Sequence, residues 1–301
     1  MTMENFRSGY VTIIGRPNVG KSTLLNKVMG EKLSIISNKP QTTRNTIQAI
    51  LTKEDYQIIF LDTPGIHKPK HKLGEYMVTA AKQTLNEVDV VLFMTTPDVI
   101  PGPIDKKIIE EMKNCRASVI LVINKTDTVK PEKIAQTIKS YISLYNFDEV
   151  VPISAYSGEN IDELTKTIVS KLPYGPKYFP DDMITDQQER FIVAEIIREK
   201  ILKNLTEEVP HGTAVEIISM KEDSNKNLVR IDANIYCEKE SHKAIIIGKS
   251  GKMLKVIGQE ARLDIEKFLS KKVYLELWVK VKKDWRDDNY SLKTLGYRIK
   301  T

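Results

Sequence analysis

Eight residues near the start of the chain, Gly15-Arg16-Pro17-Asn18-Val19-Gly20-Lys21-Ser22, have the types and spacing to hold a polyphosphate. Glycines let the backbone wrap an anion, and the freed amides at a helix N-terminus bind its oxygens. Lys21 reaches the β and γ oxygens, the Ser22 hydroxyl is a ligand for Mg²⁺, and Thr23 follows in the same first helical turn. The apolar run 10–14 before the loop reads as a buried strand, and the run 23–28 after it has the period of a helix. Strand, G-x-x-x-x-G-K-S and helix together are a phosphate-binding P-loop.

Three further loops carry matching chemistry. Asp62-Thr63-Pro64-Gly65 closes the apolar run 58–61; Asp62 holds Mg²⁺ through water and the Gly65 amide meets the γ-phosphate. Asn124-Lys125-Thr126-Asp127 closes the run 119–123. The Asp127 carboxylate can accept from the N1–H and exocyclic amine of guanine, donors that adenine lacks there, so it selects GTP. Lys125 packs over the base and braces the P-loop, and the backbone of Ser154-Ala155 meets the guanine carbonyl. Between P-loop and Asp62 lies Pro40-Gln41-Thr42-Thr43-Arg44, where one threonine completes the Mg²⁺ shell when the γ-phosphate is present. Thr43 is assigned over Thr42; a polar loop using threonine for β-propensity is the other reading.

These loops need a scaffold that presents strand ends together. Strands at 10–15, 45–54, 56–62, 89–95, 118–124 and 149–153 alternate with helices at 21–30, 73–88, 103–114, 131–146 and 160–171. The pattern predicts an α/β domain over 1–173, a mixed but mostly parallel sheet of the Ras-like P-loop type. The pair 45–54 and 56–62 has no helix between, so one edge strand runs antiparallel. Phosphate chemistry then falls at the carboxyl ends of the parallel strands.

One residue departs from the Ras pattern. Ile66 follows D-T-P-G where a water-orienting glutamine is expected, so unaided hydrolysis is slow; Arg16 and Arg44 are candidates for an internal finger. The P-loop spelling and the apolar residue after D-x-P-G resemble the Era/MnmE/EngA group of GTPases. That resemblance implies K⁺ bound at Asn18 in place of the finger; a loop-stabilising Asn18 is the alternative.

Three prolines in 172–182 break the periodicity and mark a linker, 174–185, with anchoring aromatics. Residues 186–301 read as helix 186–205, strands 213–222 and 228–238, helix 241–247, a tight turn, helix 252–270 and strand 272–283. The turn Gly248-Lys249-Ser250-Gly251 is not a second Walker loop, because Lys243 stands where its first glycine would be. G-x-x-G between helices is a sugar-phosphate clamp, with Lys243, Lys249, Lys252 and Lys255 for charge and Ile246 and Ile247 to line the groove. The order α-β-β-α-α-β resembles the α+β, type II KH arrangement. A solvated lysine face is the bland reading. Lys280, Lys282 and Lys283 extend the basic surface or edge an ordinary strand; Trp278 and Trp285 read as packing residues, and 290–297 as a short helix.

Bulk properties narrow the setting without choosing a partner. The 301 residues allow two domains, and a net charge of +6 splits evenly about residue 173, so local clusters must locate any polyanion site. Cys115 and Cys237, far apart, argue against a disulfide framework or zinc site. No run approaches the length of a membrane span and no signal-type core stands at the start, so a cytosolic setting is expected.

A nucleotide domain followed by a KH domain is similar to the Era family over essentially the whole chain. The likeness implies a GTPase, using GTP/GDP and Mg²⁺, that binds the 3′ end of small-subunit ribosomal RNA and assists 30S maturation. It also implies a monomer with no DNA partner, and peripheral association with the inner face of the membrane. Two other classes remain open at this stage: an RNA-binding assembly factor with vestigial hydrolysis, and a membrane-surface GTPase whose lysines meet anionic lipid.

Overall fold

A computed structural model describes residues 5–37, 39, 42–223 and 227–297. Pro40 and Gln41 of the threonine loop lie outside the described residues. The chain divides into two units. The first takes in Met1–Ser34, Thr43–Pro69 and Gly74–Asp186; the second takes in Ile35–Thr42, Lys70–Leu73 and Gln187–Thr301.

In the first unit, runs of Ile, Val, Leu and Phe form six strands. These are β1 (Arg7–Ile14), β2 (Ile47–Thr52), β3 (Tyr56–Asp62), β4 (Val90–Thr95), β5 (Ser118–Ile123) and β6 (Glu149–Pro152), in spatial order β2-β3-β1-β4-β5-β6. Every pairing is parallel except β2 with β3, so the edge strand expected to reverse does so. All six residues of β4 are buried, as a central parallel strand with helices on both faces requires.

The helices are α1 (Lys21–Met29), α2 (Lys72–Gln83), α3 (Pro103–Met112), α4 (Pro131–Ile142) and α5 (Ile161–Lys171). Leu24 and Leu25 of α1 with Leu164 and Ile168 of α5 close one core over Val11, Ile13, Phe60 and Leu92. Met112 of α3 and Tyr141 of α4 close the other over Ile14, Phe93 and Leu121. Each such fully buried side chain contributes roughly 1.5–3 kcal/mol, which is what fixes the strand ends that carry the loops.

The stretch read as a linker is part of this unit. Tyr174 pairs with Arg7 and Thr185 with Ala49 as isolated bridges, and the Ile50 amide donates to the Ile184 carbonyl at 2.9 Å. Gln57, wholly buried, accepts from the Tyr178 and Phe179 amides at 2.7 and 3.0 Å. Proline breaks a repeating pattern, but the amides between prolines still need partners, and the sheet margin supplies them.

The second unit runs α6 (Glu189–Asn204), β7 (Ala214–Asp223), β8 (Leu228–Cys237), α7 (Glu240–Ile247), α8 (Lys252–Leu269), β9 (Lys272–Val281) and α9 (Asn289–Thr294). Its sheet is β7-β8-β9, antiparallel then parallel. Val193, Ile197 and Ile201 of α6 follow one another at helical spacing on one face. They share a core cluster with Ile257 and Ile265 of α8 and with Ile231 and Ile235 of β8. Trp285 is wholly buried, its indole N–H donating to the Gly212 carbonyl at 2.9 Å. Trp278 is 57 % exposed, against expectation, because strand parity puts it on the outer face with Tyr274 and Lys280.

Candidate nucleotide site and nucleic-acid groove

The P-loop sits between the ends of β1 and α1, and its backbone explains its spelling. Asn18 adopts a left-handed φ of 64° and Gly20 one of 107°. A Cβ on Gly20 would stand 2.2 Å from Asn124 Nδ2, so only glycine lets that amide cross to the loop. Asn124 then ties three segments: its side chain donates to the Val19 carbonyl at 2.7 Å and accepts from the Ala155 amide at 2.9 Å, while its backbone amide donates to the Thr95 carbonyl at 2.8 Å. Lys125 Nζ donates to the Asn18 carbonyl at 3.0 Å, the brace expected from sequence. Ser154 Oγ donates to Asp127 Oδ1 at 2.6 Å, fixing the exposed carboxylate that would read guanine.

Lys21 is 7 % exposed, and its Nζ donates to the Gly15 and Arg16 carbonyls at 3.2 Å each. Burial lowers its pKa to about 8 against the pull of Asp62 upward. A phosphate at this amine would offset that burial cost by pairing the charge. Gly65 lies against the P-loop: a Cβ there would be 3.0 Å from the Pro17 backbone, so glycine permits the D-T-P-G turn to approach it. The Ile66 amide donates to Gly15 O at 3.2 Å and its side chain is 1 % exposed, in the core.

Ser22, Thr43 and Asp62 converge. Ser22 Oγ lies 2.9 Å from Thr43 Oγ1 and donates to Asp62 Oδ2 at 2.8 Å. Thr42 turns elsewhere, donating to the Lys39 carbonyl at 2.7 Å. Burial raises the Asp62 pKa, with the hydroxyl of Ser34, the Lys21 ammonium and the hydroxyls of Ser22 and Thr43 opposing it. Asp62 Oδ1 is buried with no hydrogen-bond partner. Two hydroxyls and a bare carboxylate oxygen are a hard-oxygen donor set that suits Mg²⁺ sharing phosphate ligands. Arg16 is committed away from the phosphate position, to Asp98, Thr96 and buried Asp105, whose Oδ2 is 3.5 Å from Nε. Arg44 is 1 % exposed.

The second unit holds the G-x-x-G turn. Gly248 has φ 72° and Gly251 φ 75°, and a Cβ on Gly248 would lie 2.7 Å from that of Met253. Lys249 and Ser250 project at the tip, Ser250 itself left-handed at 53°; Lys252 and Lys255 are exposed and Lys243 is half-buried. Ile247 is also half-buried, but Ile246 is wholly buried in the core and lines no groove. Three consecutive isoleucines leave the phase of α7 open, and packing gives the inward place to the middle one. The groove beside the turn, about 480 Å³, is instead floored by Leu254 and Gly258 of α8 and Leu275 and Leu277 of β9, with Lys255 and Arg262 on its rim. Sequence reading missed these residues; the apolar, small-residue face of α8 at 254 and 258 was the signal.

Family models match segments of both units. A family model described as a 50S ribosome-binding GTPase matches residues 10–125, and a KH domain model matches 208–286. The chain is 61 % identical over 292 residues to the GTPase Era of Clostridium kluyveri, covering 97 % of this chain and 99 % of that one. The chain belongs to the Era family. Era of Clostridium acetobutylicum is 61 % identical over 293 residues, with 97 % and 98 % covered. Among solved structures, Era in complex with MgGDPNP and nucleotides 1506–1542 of 16S ribosomal RNA matches at TM-score 0.94 and 45 % identity, covering 98 % of this chain and all of that one. A tyrosine-to-alanine variant of Aquifex aeolicus Era bound to GDP and AlF₄⁻ matches with the same score, identity and coverage.

Proposed function

We propose that the protein is a GTP-hydrolysing switch that binds the 3′ end of 16S ribosomal RNA and assists maturation of the small ribosomal subunit. The carrying observation is the pairing of a complete guanine-nucleotide cage with a G-x-x-G groove in a chain that matches an Era–RNA complex along its length. Lys21 and the loop amides hold the β and γ phosphates, and Asp127 reads the base. Ser22 and Thr43 would ligate Mg²⁺ and Asp62 would hold its water; the ion, when bound, neutralises charge on the phosphates. Thr43 rather than Thr42 takes this role, because its hydroxyl alone of the two meets Ser22.

Ile66 is packed in the core and supplies nothing to orient water, so turnover needs a trigger. K⁺ held at Asn18 is the charge we assign to that trigger, and faster turnover in K⁺ than in Na⁺ buffer checks it. In the second unit, Gly248 and Gly251 let a sugar-phosphate strand approach, Lys249, Lys252 and Lys255 neutralise it, and the Leu254–Leu277 floor receives bases. Among the described residues no helix is long and apolar enough to cross a membrane. On this reading the protein works where its 16S ribosomal RNA partner is, in the cytoplasm. The test is GTP turnover in K⁺ buffer with and without an oligonucleotide copying the 16S 3′ end. RNA binding that is lost in Gly248→Asp/Gly251→Asp supports the reading; equal binding by parent and variant overturns the groove assignment.

A further inference from the structure

Asp62 is held by a hydroxyl that belongs to none of the nucleotide motifs. Ser34, 1 % exposed, donates from Oγ to Asp62 Oδ2 at 2.7 Å. Its backbone is clamped in turn by Asn26, whose Oδ1 accepts from the Leu33 and Ser34 amides at 3.0 and 2.9 Å and whose Nδ2 donates to the Ser34 carbonyl at 2.6 Å. Asn26 lies four residues after Ser22 on α1, one turn along the same helical face. A single short helix therefore carries Lys21, Ser22 and the clamp that sets Ser34 against the carboxylate.

We infer that Ser34, locked by Asn26, is a positioning residue for the metal-binding carboxylate; this rests on the Mg²⁺–nucleotide reading above. Of the three hydroxyls on Asp62, those of Ser22 and Thr43 are the ones the ion would recruit as ligands. Ser34 is the one left to hold Oδ2, so that the bare, buried Oδ1 stays turned to the metal's water. Partners of this kind orient a ligand without touching the metal, and losing one typically costs about 10- to 100-fold in metal affinity.

The experiment measures release of a fluorescent GDP from the full chain across a range of free Mg²⁺, beside GTP turnover. For Ser34→Ala the Mg²⁺ needed to half-retain the nucleotide should rise about tenfold, while release in EDTA stays at the parent rate. Ser34→Thr should restore retention, and Asn26→Ala, which keeps the hydroxyl but frees its backbone, should reproduce the loss. At saturating Mg²⁺ the KM for GTP should be unchanged. A Mg²⁺ requirement within about twofold of the parent in Ser34→Ala, a span below about half a kcal/mol, overturns the inference. So does faster release in EDTA, which would mean a general weakening of the pocket. A parent chain whose nucleotide release ignores Mg²⁺ would instead take down the functional reading itself.

Discussion

At the residue scale, the base selection proposed for Asp127 rests on one carboxylate whose Oδ1 is already engaged by Ser154 at 2.6 Å. Replacing it by asparagine swaps an acceptor for a donor that faces the guanine amine. Asp127→Asn should weaken GTP binding by about 10³-fold or more, and xanthosine nucleotides, which carry a carbonyl in place of that amine, should bind the variant better than GTP does. Nucleotide titration of parent and variant checks both. The candidate residues legible in the sequence are those whose chemistry is tied to a local spelling, such as Lys21, Asp62 and Asp127. Ser34 is invisible in the sequence because the role inferred for it comes from contacts with Asn26 and Asp62, eight residues before and 28 after it, and from no pattern of its own.

At the element scale, helix existence and order were legible because apolar periodicity reports which face a segment buries. Two errors came from phase. The Ile245-Ile246-Ile247 run gave no periodicity inside itself, and only the packing of α7 put Ile246 inward, with Ile245 49 % exposed. Trp278 reads as a packing residue from sequence, although its parity with Glu276 and Lys280 in β9 places it outward. Helix α8 offers the sharpest test. Gly258 weakens a helix interior, yet an added Cβ would meet only Leu277 Cδ1, at 3.5 Å. Gly258→Ala should therefore stabilise the second unit by about 0.5–1 kcal/mol while narrowing the groove floor. Thermal melting should shift upward as RNA affinity falls. A variant that gains stability and keeps full affinity would mean the bases do not reach that floor.

At the scale of the whole molecule, the two units have separate cores, and the residues read as joining them, 174–185, are built into the first. Their bonds run to Ser8, Gln57 and Ile50 across the margin of the sheet. A fragment ending at residue 173 should melt about 2–8 °C below one ending at 186, the shift expected for about 1–2 kcal/mol in a domain of this size. Scanning calorimetry on the two fragments decides it, and equal melting would make the strip ornamental. The same strip has a meaning for the chain during synthesis. Strand β2 is an edge of the sheet, and residues 184–185 pair with its outer side at Ala49 and Ile50. Until those residues leave the ribosome, the nascent first unit carries an unpaired strand edge that can recruit another chain. The interval between finishing β6 and delivering Thr185 is thus one in which the growing polypeptide presents that edge to other chains.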